Sequence, residues 1–311
     1  MKFEFITCGN HTEPFLSQAA IFRRALDSLG GDYAAARLVL CVGGPEWEPL
    51  PARWRAPFRN IELRWVCGSD YTVDDVAQSV MTYRVVDPSA DLSVICDADT
   101  LLVSPFPEDF LTRMQREPAL AGCIAHYPPP LHDTRVPPPP AIPDVATMWA
   151  RVAARLGVPV PDRIHRYAMT NEDLRAPFYI NLGFLAGPPQ VVAAFHQELT
   201  RIVPLVREVL ENEFYEQIAL PFAAAAAGLC VRALPIRFNF PNDPVADLLY
   251  PDDMASAHVI HYLRRTHFDR HVIFNDPAAF AQFMAQELEG SNAVFQSAVR
   301  RITGGVFPFP A

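Results

Sequence analysis

The sequence predicts an α/β fold, with a mainly parallel sheet between helices, and three observations predict it. Short apolar runs bounded by turn formers alternate with segments of helical period. The runs are apolar throughout rather than at every second residue, which suits strands covered on both faces. One of them, residues 92–96, passes without a break into Asp97-Ala98-Asp99 and then into a second apolar run, residues 101–103.

Taken in order, residues 3–7 (FEFIT) are expected as the first strand, with Cys8-Gly9-Asn10-His11 making a tight turn. Phe15, Leu16, Ala19, Ile21, Phe22 and Leu26 fall at near-helical spacing, so residues 14–29 read as a helix that Gly30-Gly31 ends. Residues 37–42 and 61–66 follow as strands, and strand, helix, strand in this order points to βαβ units. Val73, Val76, Val80, Tyr83 and Arg84 mark a helix over 73–85, stopped by Pro88. Residues 120–125 (LAGCIA) are the next strand, ending at His126-Tyr127.

The stretch 128–143, PPPLHDTRVPPPPAIP, is too rich in proline for a helix or an inner strand, and polyproline II is its natural state. It reads either as a stiff surface loop or as a binding-site flap or partner contact. Asp144 is placed to cap a helix running to about Leu156. Residues 177–186 (PFYINLGFLA) read as a strand interrupted by Asn181 and Gly183. A glycine there marks the close approach of a ligand or another backbone. Residues 191–210 and 214–227 are helical, the second carrying Glu216-Gln217 near its start. Residues 231–239 are expected to be irregular and extended. Residues 257–263 (AHVIHYL) alternate as a strand does and lead into Arg264-Arg265, and 277–302 are expected as helix docked outside the sheet.

Of the 311 residues, 50% are hydrophobic and 20% charged, an ordinary globular composition, and no Gly/Ser linker divides the chain. One large domain is expected over 1–311: a half over 1–127, the proline-rich loop 128–143, a second half over 144–276 and a helical region 277–311. A net charge of −9 argues against nucleic acid or an anionic membrane surface as partner. An anionic substrate must therefore meet local positive charge or a metal. No apolar run reaches bilayer length, and MKFEFITCGN enters a strand at once without a signal-peptide core. The six cysteines (Cys8, Cys41, Cys67, Cys96, Cys123, Cys230) lie mostly in apolar runs without a CxxC, which suits free thiols in a reducing cytosol and a cytoplasmic location.

Chemistry concentrates at Asp97 and Asp99. A triplet of this kind occurs by chance about once in a chain of this length, but its place between two apolar runs puts it at the carboxyl edge of a strand, where α/β sheets bind ligands. Carboxylates there are costly unless a cation meets them. One ligates a divalent ion directly and the other directly or through water, with substrate phosphate completing the shell. His261, among Val259, Ile260, Tyr262 and Leu263, is either a hydrogen-bonded core histidine or a third ligand. Arg84 is either a surface partner of Asp87 or a ligand-binding cation. Asn181 by itself reads as a strand-breaking cap, and Glu216 by itself reads only as a helix-face carboxylate.

The segments YRVVDPSADLSVICDADTLLV, FYINLGFLAG, NEFYEQIAL, LPIRFNF and HVIHYLRR, together with FITCGN at the start, resemble nucleotide-sugar glycosyltransferases of the GT-A fold, most closely the glycogenin and galactosyltransferase-like group, family 8. The resemblance implies a Rossmann-like, mixed but mainly parallel sheet flanked by helices. It implies Mn²⁺ or Mg²⁺ held by Asp97, Asp99 and His261, a UDP-sugar as donor, and a hydroxyl acceptor on a glycan, small molecule or protein. It carries Thr7, Cys8, Asn10, Arg84, Ala98 and Gly183 over to donor binding, and Asn181, Glu216 and Gln217 to the sugar and acceptor. Transfer with retention of configuration is the family's outcome. Two departures stand out: Ile218 replaces the acidic residue expected after Gln217, and Tyr262-Leu263-Arg264-Arg265-Thr266 replaces a Gly followed by Lys-Pro-Trp. The diphosphate-binding cation is then expected at Arg264 or Arg265. The competing readings are a nucleotidyltransferase of the same architecture, which lacks its Gly-rich basic loop here, and a noncatalytic scaffold.

Overall fold

A computed structural model describes residues 1–43, 47–66, 85–131, 144–170, 174–210 and 214–310. The expected helix over 73–85, with Arg84, and most of the proline-rich loop lie outside the described residues.

The strands are β1 (Phe3–Asn10), β2 (Arg37–Gly43), β3 (Glu62–Val66), β4 (Leu92–Ile95), β5 (Thr100–Leu102), β6 (Leu120–Ile124), β7 (His165–Arg166), β8 (Arg175–Ala176), β9 (Ile180–Gly187), β10 (Val231–Leu234), β11 (Phe240–Pro241) and β12 (Val259–His261). Seven of them form the main sheet in the order β10-β6-β9-β4-β1-β2-β3. Each described pairing in it is parallel except those of β9, which runs antiparallel to both β4 and β6. The expected mixed, mainly parallel sheet is therefore what forms. β11, β12 and β5 make a smaller sheet.

The helices are α1 (Glu13–Leu29), α2 (Gly31–Ala34), α3 (Glu108–Arg116), α4 (Val145–Leu156), α5 (Pro189–Arg207), α6 (Tyr215–Ala226), α7 (Pro244–Leu249), α8 (Pro251–Ala255), α9 (Pro277–Ala285) and α10 (Gly290–Thr303). They cover both faces of the sheet, which is why its strands are apolar at every position. Phe3, Phe5, Leu38, Leu40, Leu92 and Val94 point to a core shared with α1, α9 and α10. The alternate residues Ile6, Val39, Cys41 and Ile95 point to a second core shared with α4, α5 and α6. Asp144 caps α4 as expected, its carboxylate accepting from the Thr147 amide at 2.7 Å.

Three expectations change. Cys8, Gly9 and Asn10 are strand rather than turn, because β2 extends to pair with them at Cys41, Val42 and Gly43. Residues 231–234 are a regular edge strand on β6. Of residues 257–263 only Val259–His261 is strand, and it belongs to the smaller sheet. The C-terminal helices settle on α1 and the small-sheet side, where Phe295 stacks on Tyr262 at 4.4 Å between ring centroids and Arg301 donates to the Val103 carbonyl.

Candidate functional site

Successive strands β1, β2 and β3 step outward in one direction, and β4 then lies on the other side of β1. At such a reversal an open α/β sheet leaves a crevice beyond the carboxyl ends of its strands. β1 brings Cys8 and Gly9 to that crevice, and β4 brings the aspartates. Beyond Cys96 the chain turns, with both the amide and the hydroxyl of Thr100 donating to the Asp97 carbonyl at 3.2 and 2.7 Å, and it enters β5. β5 pairs antiparallel with β12 so that His261 sits opposite Thr100, and the Tyr262 amide donates to the Asp99 carbonyl at 2.9 Å. Register alone thus carries the late histidine to the aspartate turn.

His261 Nε2 lies 3.2 Å from Asp99 Oδ1 and 3.6 Å from Asp97 Oδ2, and one donor atom from each residue falls within 4.8 Å of the other two. The imidazole is buried, Asp99 is nearly so, and Asp97 is open to solvent. Burial pushes the His261 pKa down despite the opposing field of Asp97, so the ring is neutral and offers a lone pair. Its Nδ1 and the neighbouring Asn239 Oδ1 have no hydrogen-bond partner. Both press against Gly183, where a Cβ would lie 2.4 Å from the first and 2.5 Å from the second. Gly183 therefore serves the approach of two side chains. Arg270 Nη1 meets the other oxygen of Asp99. The segment bearing Arg270 is pinned by Phe268 stacked on Phe295 at 5.3 Å and by Phe274 edge-on to the same ring at 6.3 Å.

These groups floor a cleft of about 390 Å³. On the side of β1 and α1 it is lined by Cys8, Gly9, Phe15 and Gln18, with His271 edge-on to Phe15 at 6.1 Å. On the side of β6, β9 and α6 it is lined by His126, Asn181, Phe214, Glu216 and Gln217. Asn181 Oδ1 accepts from the Gly183 amide at 2.9 Å and from Asn239 Nδ2 at 2.7 Å.

Of the residues singled out from sequence, Asp97, Ala98, Asp99, His261, Cys8, Asn181, Glu216 and Gln217 line this one cleft. Thr7 is buried in β1 with an unpartnered hydroxyl, and Asn10 ends that strand; neither lines the cleft. Arg264 is turned to Asp243, its Nε at 2.9 Å and Nη2 at 2.8 Å from Oδ2, and Arg265 is exposed. The cation at the acidic cluster is instead Arg270, which the sequence reading missed. Its signal was the run HFDRH a short way past the late histidine. Gln18 was missed as well, although a polar residue on the apolar face of a helix marks it; its Nε2 donates to the Arg270 carbonyl at 3.4 Å.

No protein-family profile matches the chain, and no curated protein matches it. Solved structures do. An active-site mutant of LgtC is similar over 99% of this chain and 97% of its own, with a TM-score of 0.53 and 12% identity. The galactosyltransferase LgtC in complex with donor and acceptor sugar analogues gives 0.50 at 11% identity over the same shares. The apo form of the glycosyltransferase GlyE of Streptococcus pneumoniae gives 0.51 at 12% identity, over 96% of this chain and 60% of that one. The chain has the GT-A fold that these glycosyltransferases share. Among the described residues no helix is long and apolar enough to cross a membrane.

Proposed function

We propose that the protein is a metal-dependent glycosyltransferase that moves a sugar from a nucleoside diphosphate, a UDP-sugar, to a hydroxyl acceptor. The observation that carries this reading is the convergence of Asp97, Asp99 and His261 at the floor of a cleft at the sheet's switch point. Two carboxylates and a neutral imidazole are the donor set that Mn²⁺ or Mg²⁺ takes. The cluster suits such an ion, since among the described contacts Arg270 meets Asp99 and no arginine or lysine meets Asp97. Asp97, Asp99 and His261 would hold the metal, which when bound supplies Lewis-acid charge for the departing diphosphate. With Nε2 turned to the acids, a metal bound there would leave the proton on His261 Nδ1, which has no hydrogen-bond partner among the described residues.

The chain's own residues supply the rest. Arg270, rather than Arg264 or Arg265, is the guanidinium we assign to the diphosphate, because it already stands at the carboxylates and its backbone is anchored by the Phe295 stack. Arg84 keeps its place near the donor only on the family resemblance. Cys8, Gly9 and Ala98 offer a wall on which the nucleotide can lie. Asn181, Glu216 and Gln217 orient sugar hydroxyls or the acceptor, with residues 1–127 forming the nucleotide half and 144–276 the sugar half. Retention of configuration follows the family, and no enzymic base is assigned. The test is titration calorimetry with UDP. Binding is expected only with Mn²⁺ present and is lost in Asp97→Ala; absence of UDP binding, or binding indifferent to that substitution, sinks the proposal.

A further inference from the structure

His126 leaves β6 at its carboxyl end and enters the cleft wall, where it is 7% exposed. It stands outside the metal-ligating group, which among the described residues comprises Asp97, Asp99 and His261. Among the described residues its Nε2 has no hydrogen-bond partner. The Asn239 backbone lies near the ring and favours a proton on it, a lesser influence than burial. Burial, the largest influence on this ring, pushes its pKa down to about 4, so it is neutral. The free nitrogen is therefore a lone-pair acceptor held in a desolvated wall, an arrangement that is costly to the fold unless something donates to it.

The connectivity of a nucleotide sugar says what that donor is. The sugar is joined to the terminal phosphate, so it lies next to whatever holds the diphosphate, while the base lies at the far end. His126 is near enough to feel the His261 ring electrostatically, yet it is not a ligand. Beyond the Ile124–Ile180 pair the Ala125 amide donates to the Tyr179 carbonyl at 2.8 Å, and His126 then lines the same cleft as Asn181. Resting on the function proposed above, we infer that His126 Nε2 accepts a hydrogen bond from a hydroxyl of the transferred sugar and so helps select that sugar.

The experiment compares wild type, His126→Phe and His126→Gln by calorimetry with Mn²⁺ and either UDP, UDP-glucose, UDP-galactose or UDP-N-acetylglucosamine, alongside thermal melts. Wild type is expected to bind at least one sugar nucleotide more tightly than UDP. His126→Phe should keep the UDP affinity and lose about tenfold of the sugar's extra affinity, one hydrogen bond's worth. His126→Gln, which still offers an acceptor oxygen, should recover part of it. Because the phenyl ring removes an unpaired buried nitrogen, the melting temperature of His126→Phe should hold or rise. Four results overturn the inference while sparing the proposed function: an unchanged sugar increment, a loss of UDP affinity in parallel, a wild type that prefers no sugar to UDP, or a melting temperature that collapses in both variants. A wild type that binds no UDP with Mn²⁺ removes the proposed function, and this inference with it.

Discussion

Gly183 and His261 share one volume: a Cβ on the glycine would stand 2.4 Å from Nδ1 of the imidazole. The ring sits where a side chain would otherwise be. Overpacking of this kind costs about 1–3 kcal/mol, and here the group that must yield is His261, the proposed metal ligand. Gly183→Ala is expected to lower Mn²⁺ affinity by about tenfold, the usual effect of disturbing a ligand's support, with a modest drop in melting temperature. Electron paramagnetic resonance of free Mn²⁺ measures the first. A full drop in melting temperature with unaltered Mn²⁺ affinity would separate ring placement from ion binding.

The guanidinium of Arg270 already meets Asp99 Oδ2, so on the proposed reading a divalent ion would compete with it for that carboxylate. Removing the guanidinium leaves more negative charge for the ion and less positive charge for the nucleotide. Arg270→Gln is therefore expected to bind Mn²⁺ alone more tightly than wild type and to bind UDP with Mn²⁺ about tenfold more weakly, as loss of one charge-assisted hydrogen bond allows. The two affinities moving in the same direction would contradict the assignment. Chelation with EDTA should abolish UDP binding in both proteins, and added Mn²⁺ should restore it.

The sheet and the aspartate turn were legible because burial on both faces forces strand sequences to be apolar throughout, and because the carboxylates interrupt that pattern at the strand's end. His261 was legible through the family order of segments, but its partner glycine was read as marking a ligand or another backbone, whereas it makes room for the side chains of that histidine and Asn239. Arg270 was not legible. Its position depends on Phe268 and Phe274 packing on Phe295, a contact between segments far apart in the chain that no local periodicity announces. The same holds for Cys8 to Asn10: glycine and asparagine suggested a turn, and pairing with β2 outweighed that preference.

Thiol reactivity should divide along burial. Cys41 and Cys96 are pushed up to about 12 by desolvation, and Cys123 higher still for the same reason. Cys230 is exposed and Cys8 lines the cleft. Alkylation at pH 8, followed by peptide mass spectrometry, is expected to label Cys230 first and Cys8 more slowly, with UDP and Mn²⁺ protecting Cys8. Cys41, Cys96 and Cys123 should remain unlabelled until denaturant is added. The raised values also set an alkaline limit. The fold's preference for neutral thiols is fully present below their ordinary pKa of 9.0 and is lost as pH rises from there towards about 12. The urea midpoint should fall across that window.

Glu4 is 0% exposed in β1, and its carboxylate accepts from Arg37 Nη1 at 2.9 Å, from the Asp87 amide at 2.9 and 3.0 Å, and from the Ser93 hydroxyl. Arg37 also meets Glu62 at 2.8 Å and the Val85 carbonyl at 2.8 Å, so one guanidinium joins β1, β2, β3 and the segment before β4. Breaking a buried ion pair from one side costs about 3–5 kcal/mol because a buried charge is left behind. Arg37 is 23% exposed, which argues for the lower end of that range. Arg37→Ala is accordingly expected to lower unfolding stability by about 3 kcal/mol in urea titrations. The double variant Glu4→Gln with Arg37→Met should lose less than the single one, since no uncompensated buried charge remains at position 4, while the half-buried Glu62 keeps Arg64 as a partner. Protein that stays folded should keep its affinity for UDP and Mn²⁺, because the network lies away from the carboxyl ends of the strands where the aspartates sit. A double variant less stable than Arg37→Ala would mean that Glu4 is held chiefly by its backbone and serine donors, with the arginine adding little.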